Sequence, residues 1–143
     1  MKKTEIKEQQ SMQINVTTDY AIRTVLYLAL RGGEVVTSAE ISQTMKIPQE
    51  YIITLTKRLR DNGILRTERG TKGGYALNKE PWNITLWEIV NVMEGTTRIN
   101  RCLEGDHYCS RHAIETCPVR KNYEKLQQIF DDTLSGITIE SLM

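Results

Sequence analysis

Three cysteines stand at positions 102, 109 and 117, in the form C-x6-C-x7-C, with His107 and His112 between them. Thiolates are soft ligands and suit iron–sulfur, zinc or copper(I) rather than magnesium or calcium. The spacing is not that of a zinc finger, where one ligand pair lies about two to four residues apart. An odd number of cysteines argues against a closed set of intrachain disulfides and points to metal binding or thiol chemistry instead of a disulfide framework. Three readings stand side by side. The thiolates hold a metal or cluster, with His107, His112 or a distant residue as fourth ligand; or they are reactive thiols; or they are ordinary buried cysteines.

A second set of residues could hold nucleic acid. The net charge of +1 hides an uneven distribution: residues 1–80 carry 13 Lys and Arg against 9 Asp and Glu, and residues 81–143 carry 6 against 9. The stretch 46–72 alone has 7 basic and 3 acidic residues. A basic end of a fold favours nucleic acid over an acidic protein partner. On a helix starting at Gln49, the outward side would hold Gln49, Glu50, Ile53, Thr54, Thr56 and Lys57. The major groove admits one helix. There Gln49 could pair with adenine, Glu50 could accept from cytosine, and Ile53 could touch a thymine methyl. Lys57, Arg58 and Arg60 read as phosphate contacts, which position without specifying. Arg69 and Lys72 lie in a glycine-rich loop that could reach the minor groove, Arg69 being suited to a narrow one.

The elements that would position these residues follow from periodicity. Val16–Leu30 reads as a helix through Ala21, Ile22, Val25, Leu28 and Ala29, with Thr17, Thr18 and Asp19 as cap and first-turn groups. A second helix follows Thr37 or Ser38, where Thr37 and Glu40 have capping-box spacing. Pro48 fronts a third, from about Gln49 to Asn62, with Tyr51, Ile52, Leu55 and Leu59 inward and Asn62-Gly63 as its stop. The short turn between them makes a helix-turn-helix. Two strands, 64–67 and 74–77, flank the basic loop 68–73. Thr85 and Glu88 again have capping-box spacing, before a helix burying Leu86, Ile89, Val90 and Met93, with Trp82 and Trp87 as anchors. The pattern weakens over 95–116. A last helix, Val119–Leu134, carries Val119, Tyr123, Leu126, Phe130 and Thr133 in a stripe that Ile129, Leu134 and Ile137 widen. Such a stripe outside the reading unit is best buried against a second copy.

The division expected is a flexible leader 1–11, with Met12 as an alternative start, a DNA-binding unit 12–94, a cysteine loop 95–117 and a dimerisation segment 118–143. The fold class is mainly α with a small β wing: a winged helix-turn-helix plus a long C-terminal dimerisation helix. No stretch approaches the roughly 20 apolar residues of a membrane span, and no apolar secretory core follows the N-terminus. A cytoplasmic setting is expected. Nothing supports an enzyme: the chain has two histidines, no nucleophile paired with a base, and no P-loop after Gly70, Gly73 and Gly74.

Arg58-Leu59-Arg60-Asp61-Asn62-Gly63-Ile64-Leu65, followed by Arg69-Gly70-Thr71-Lys72-Gly73-Gly74-Tyr75-Ala76-Leu77, resembles the BadM-type (Rrf-two-type) regulators. That family includes the iron–sulfur-cluster regulator and the nitric-oxide-sensitive repressor. The segments 12–21, 85–95 and 134–142 are similar to the family's first helix, the helix before its cysteine loop and its closing segment. The resemblance implies a cytoplasmic homodimer on a double-stranded DNA operator, with no membrane partner. It also implies an iron–sulfur cluster (2Fe-2S or 4Fe-4S, ahead of zinc) on Cys102, Cys109 and Cys117. One branch of the family adds a histidine three residues beyond the last cysteine, where this chain has Arg120. The nitric-oxide-sensing branch adds an aspartate from the partner's first helix, and Asp19 falls there. Glu50 replaces a base-contacting family serine and Ile53 a base-reading glutamate, whereas Arg69 matches the wing arginine. The function implied is a repressor sensing nitric oxide, oxygen or iron–sulfur status. The alternative is a cluster-free regulator responding to thiol oxidation or to a partner protein.

Overall fold

The computed structural model describes residues 14–143; the expected leader and Met12 lie outside them. Helices α1 (Val16–Leu30), α2 (Ser38–Met45) and α3 (Gln49–Asp61) lead into strands β1 (Leu65–Glu68) and β2 (Gly74–Leu77). Helix α4 (Leu86–Glu94) and the long α5 (Pro118–Gly136) follow. Short 3-10 turns lie at Pro81–Asn83, Arg101–Leu103 and Glu140–Leu142. One apolar core runs through the first part, where Ala21, Val25 and Leu28 of α1 meet Ile41 of α2. Ile52, Leu55 and Leu59 of α3 join them, with Ile89 and Met93 of α4.

The helix starts follow from side-chain capping. Asn15, not a threonine, caps α1 by accepting from Thr18 N at 3.1 Å. Thr18 itself is buried, and its hydroxyl donates to the Glu94 carboxylate, pinning the start of α1 to the end of α4. Thr37 and Thr85 cap α2 and α4 as their spacing predicts. The reciprocal half of each box is replaced by tertiary bonds: Glu40 accepts from Tyr27 and Arg31, and Glu88 from Lys79. Helix α3 stops one residue earlier than expected, and Gly63 takes the left-handed conformation that ends the turn.

The wing is an antiparallel pair with Leu65 opposite Leu77 and Glu68 opposite Gly74. Ile64, expected in the first strand, precedes it as a fully buried residue whose carbonyl accepts from Asn78 N at 2.9 Å. Val36, in the α1–α2 connection, exchanges both backbone hydrogen bonds with Tyr75, at 2.9 and 2.8 Å. This bridge fixes the wing to the start of α2, and it explains Gly74. A Cβ there would lie 2.2 Å from the Val36 carbonyl oxygen.

The chain closes on itself at its end. Leu86 N donates to Ile137 O and Ile139 N to Ile84 O, each at 2.9 Å, with Ile84 and Ile139 fully buried. Trp87 serves as an anchor by donating to Asp131 on α5 at 3.0 Å, whereas Trp82 is exposed. Among the described residues no helix is long and apolar enough to cross a membrane.

Candidate nucleic-acid interface and thiol loop

The amphipathic pattern of α3 puts Ile52, Leu55, Thr56 and Leu59 in the core. Thr56, expected outward, is buried, and its hydroxyl donates to Ile52 O at 2.5 Å. Leu55 and Thr56 fall on the same core-facing arc at about 100° per residue. Glu50, Ile53, Thr54 and Lys57 are exposed together on the opposite side. The other polar candidates already have partners. Gln49 donates to Ser38 Oγ at 2.9 Å, tying the front of α3 to α2. Arg60 pairs with Asp61 at 3.1 Å. Arg58 reaches back to α4 and donates to the Met93 carbonyl at 2.7 Å, satisfying one of the orphan acceptors of that helix end. Arg69 and Lys72 are exposed at the wing tip. A bond from Gly73 N to Gly70 O at 3.0 Å closes that tip.

Helix α5 has two distinct faces. Gln127 and Leu134 are buried against the chain's own domain. Gln127 donates to Thr97 O and accepts from Ile99 N, both at 2.8 Å. Asp131 takes the Trp87 indole. About a quarter turn away, Val119 and Leu126 are 52% and 54% exposed, and Ile129, further round the same side, is 63% exposed. Tyr123 and Phe130, on the same stripe, are only half covered. Leu134, expected to widen this stripe, belongs to the inner face. A helix is held to its own domain by polar bonds while its apolar stripe is left free.

The cysteines are placed by the same helix. Cys117 is the N-cap of α5, its Sγ accepting from Arg120 N at 3.5 Å. The Arg120 side chain is only 16% exposed. It donates through Nε to Cys102 O at 3.3 Å, lies 3.5 Å from His107 Nδ1, and pairs with Glu124. Arg120 thus fastens both ends of the loop to α5. Cys102 lies in a 3-10 turn, its N–H bonded to Asn100 Oδ1 at 3.2 Å. Cys109 opens onto a cleft of about 430 Å³ that His107, His112 and residues 113–116 also line. The N–H of Ala113 holds its thiol below the usual value of 9.0, helped by the N–H groups of Arg111 and His112 and by the Arg111 charge, against a smaller effect of burial.

All three thiols are free. Among the described residues no three His, Cys, Asp or Glu side chains gather as a metal site. Asp19 is exposed and pairs with Arg23 at 2.8 Å. Within one chain, then, the donor set does not fit a cluster: Cys117 caps a helix, Cys102 sits in a separate 3-10 turn, and Cys109 faces its own cleft. Sequence reasoning noted Arg120 only as a departure from a ligand histidine, and missed both its ties to the loop and the cap role of Cys117. The only local signal was that a cysteine precedes the Pro118 that opens α5.

The Rrf2 profile, described as an iron-dependent transcriptional regulator, matches residues 14–143. The chain belongs to the Rrf2 family. It is 32% identical over 127 residues to a helix-turn-helix-type transcriptional regulator of Aquifex aeolicus, covering 89% of this chain and 88% of that one. It is 29% identical over 138 residues to the regulator IscR of Photorhabdus laumondii, covering 92% and 79%. Its fold is similar to that of CymR, the global cysteine regulator of Bacillus subtilis. The TM-score is 0.76 at 27% identity, over 91% of this chain and 95% of that one. As a Rrf2 protein the chain is a DNA-binding transcriptional regulator and not an enzyme. Its fold is that of regulators that bind operator DNA as homodimers.

Proposed function

We propose that this Rrf2 protein is a cytoplasmic repressor whose grip on its operator is set by the oxidation state of the thiols in 95–117. In this reading residues 12–94 form the reading unit and 118–143 the dimerisation segment. Glu50, Ile53, Thr54 and Lys57 face the major groove, and Arg69 and Lys72 the backbone and minor groove.

The observation that carries the thiol reading is the setting of Cys109: an open cleft, and three backbone N–H groups that favour its thiolate. A hydroperoxide is a fitting oxidant. The thiolate attacks the O–O bond, an S–O bond forms, and the distal fragment leaves as alcohol or water. Cys102 or Cys117 then condenses with the sulfenic acid, forming S–S and releasing water. Engaging Cys117 would remove the cap of α5 and pull on the Arg120 ties. Helix α5 sets the distance between the two reading heads, and DNA accepts only half-sites at fixed spacing.

The cluster reading keeps one specific support, the iron-dependent description of the family profile. One experiment separates the two. Operator binding is titrated by fluorescence anisotropy for reduced protein, for hydroperoxide-treated protein, and for protein reconstituted anaerobically with iron and sulfide. The thiol reading predicts loss of affinity on peroxide, reversal by dithiothreitol, and insensitivity in Cys109→Ser. Visible absorption with iron and sulfide in stoichiometric amounts, and affinity that follows it, would favour the cluster. A triple cysteine variant that matches the parent in every arm would refute both.

A further inference from the structure

The reading face of α3 is reduced, once its partners are counted, to four side chains. Gln49 and Arg58 are tied to Ser38 and Met93 on other elements, and Arg60, a phosphate candidate without base-reading shape, pairs on the surface with its neighbour Asp61. The Thr54 hydroxyl donates back to Glu50 O at 3.3 Å. Glu50 makes no ion pair among the described residues, and Lys57 is a point charge for phosphate. Ile53 stands between them, 61% exposed. Glu50, Ile53, Thr54 and Lys57 fall within about 100° of arc on the helix. A β-branched hydrocarbon placed there does not serve solubility, phosphate binding or the core, whose face is occupied by Ile52, Leu55 and Leu59.

The edges of the bases in the major groove are polar, with one exception, the C5 methyl group of thymine. Glu50 adds a second constraint. A carboxylate can only accept, so in the groove it requires the amino group of cytosine or adenine and is repelled by the acceptors of guanine. Glu50 and Ile53 are one turn apart and would meet neighbouring base pairs.

We infer that Ile53 reads the C5 methyl group of a pyrimidine, so that each half-site of the operator needs a thymine at one fixed position, beside a base pair that offers Glu50 an amino group. The inference rests on the proposal that α3 enters the major groove. It is independent of what the cysteines sense. Gln49, the obvious adenine reader by residue type, carries little of the specificity, because its amide is bound within the protein.

The test uses the full chain in its reduced form. Sites are first enriched from a random duplex library, and each thymine of the enriched site is then replaced singly by deoxyuridine. That change removes one methyl group and leaves base pairing and every hydrogen-bonding group intact. Affinity should fall about fourfold at one thymine per half-site and about 15-fold when both are replaced, the factors expected for one or two methyl-sized groups returned to water. In Ile53→Ala the same uracil substitution should change affinity by less than about 1.5-fold, with Ile53→Val intermediate. Since Ile53 is exposed, the variants should melt like the parent, which circular dichroism checks. An enriched site in which no methyl matters, or a uracil penalty as large in Ile53→Ala as in the parent, would overturn this inference and leave the DNA-reading role standing. Failure to enrich any site would overturn both.

Discussion

Replacing Gly74 with alanine tests whether the wing is held by the chain that precedes α2. The added Cβ would lie 2.2 Å from Val36 O, 2.6 Å from Val36 C and 3.0 Å from Thr37 N. All three are backbone atoms, so no side chain can rotate away. Either β2 or the 34–37 segment must withdraw, and the two hydrogen bonds between Val36 and Tyr75 open. Each is worth about 1 kcal/mol net. Val36 is fully buried, and partial exposure of its side chain adds up to about 1 kcal/mol. The expected loss is about 2–3 kcal/mol, read from urea melts at fixed protein concentration, because a dimer's stability depends on concentration. Thr37 caps α2, so the same movement shifts the wing against the reading helix. Operator affinity of the folded fraction should fall about tenfold, equivalent to about 1.4 kcal/mol. Gly136→Ala is the control. Its Cβ meets nothing within 4 Å and its backbone is not left-handed, so it should stabilise by a few tenths to about 1 kcal/mol. The reasoning is refuted if Gly74→Ala costs less than about 0.5 kcal/mol and binds operator like the parent.

Four further outcomes are expected. Lys57→Ala should weaken cognate and random duplex alike and lower the salt slope by about 1, while Arg69→Ala should weaken the cognate site more; anisotropy at several salt concentrations decides, and equal losses for Arg69→Ala would remove its shape-reading role. Arg58→Ala should cost about 1–2 kcal/mol in urea melts, because the Met93 carbonyl loses a charge-assisted partner; unchanged stability would return Arg58 to the phosphate set. The Cys109 thiol is held below its usual value, so its thiolate persists to lower pH, and its alkylation rate by iodoacetamide should reach half-maximum below pH 9.0. An inflection at or above that pH would undo the case for a reactive Cys109. Ile129→Glu should yield a monomer in sedimentation at micromolar concentration, since it puts a charge into the free stripe of α5; an intact dimer would place the interface elsewhere.

Elements whose signal is local were legible in the sequence. Helices α1 to α4 and the wing follow from apolar periodicity, from threonine caps at 37 and 85, and from Gly63. These depend on neighbours within a few residues, as a sequence string does. The reading helix and its basic wing were legible for the same reason. Tertiary structure alone decided which of those residues remain available. Periodicity could not show that Arg58 serves the end of α4, 35 residues away, although the burial of Thr56 follows from its helical phase. Nor does anything near Val36 announce its pairing with Tyr75, which makes Gly74 obligatory. Leu134 and Leu126 look alike in a stripe, yet one is buried in its own domain and the other is free, because α5 packs through the Gln127 and Asp131 bonds. The cysteines show the difference most clearly. Their number and spacing announced soft ligands or reactive thiols, but each cysteine's setting comes from what the fold brings to it: a helix start at Cys117, the Arg120 side chain on the Cys102 carbonyl, and three converging N–H groups at Cys109. A side chain's chemistry is written in its type, whereas its partners come from segments that only packing brings together.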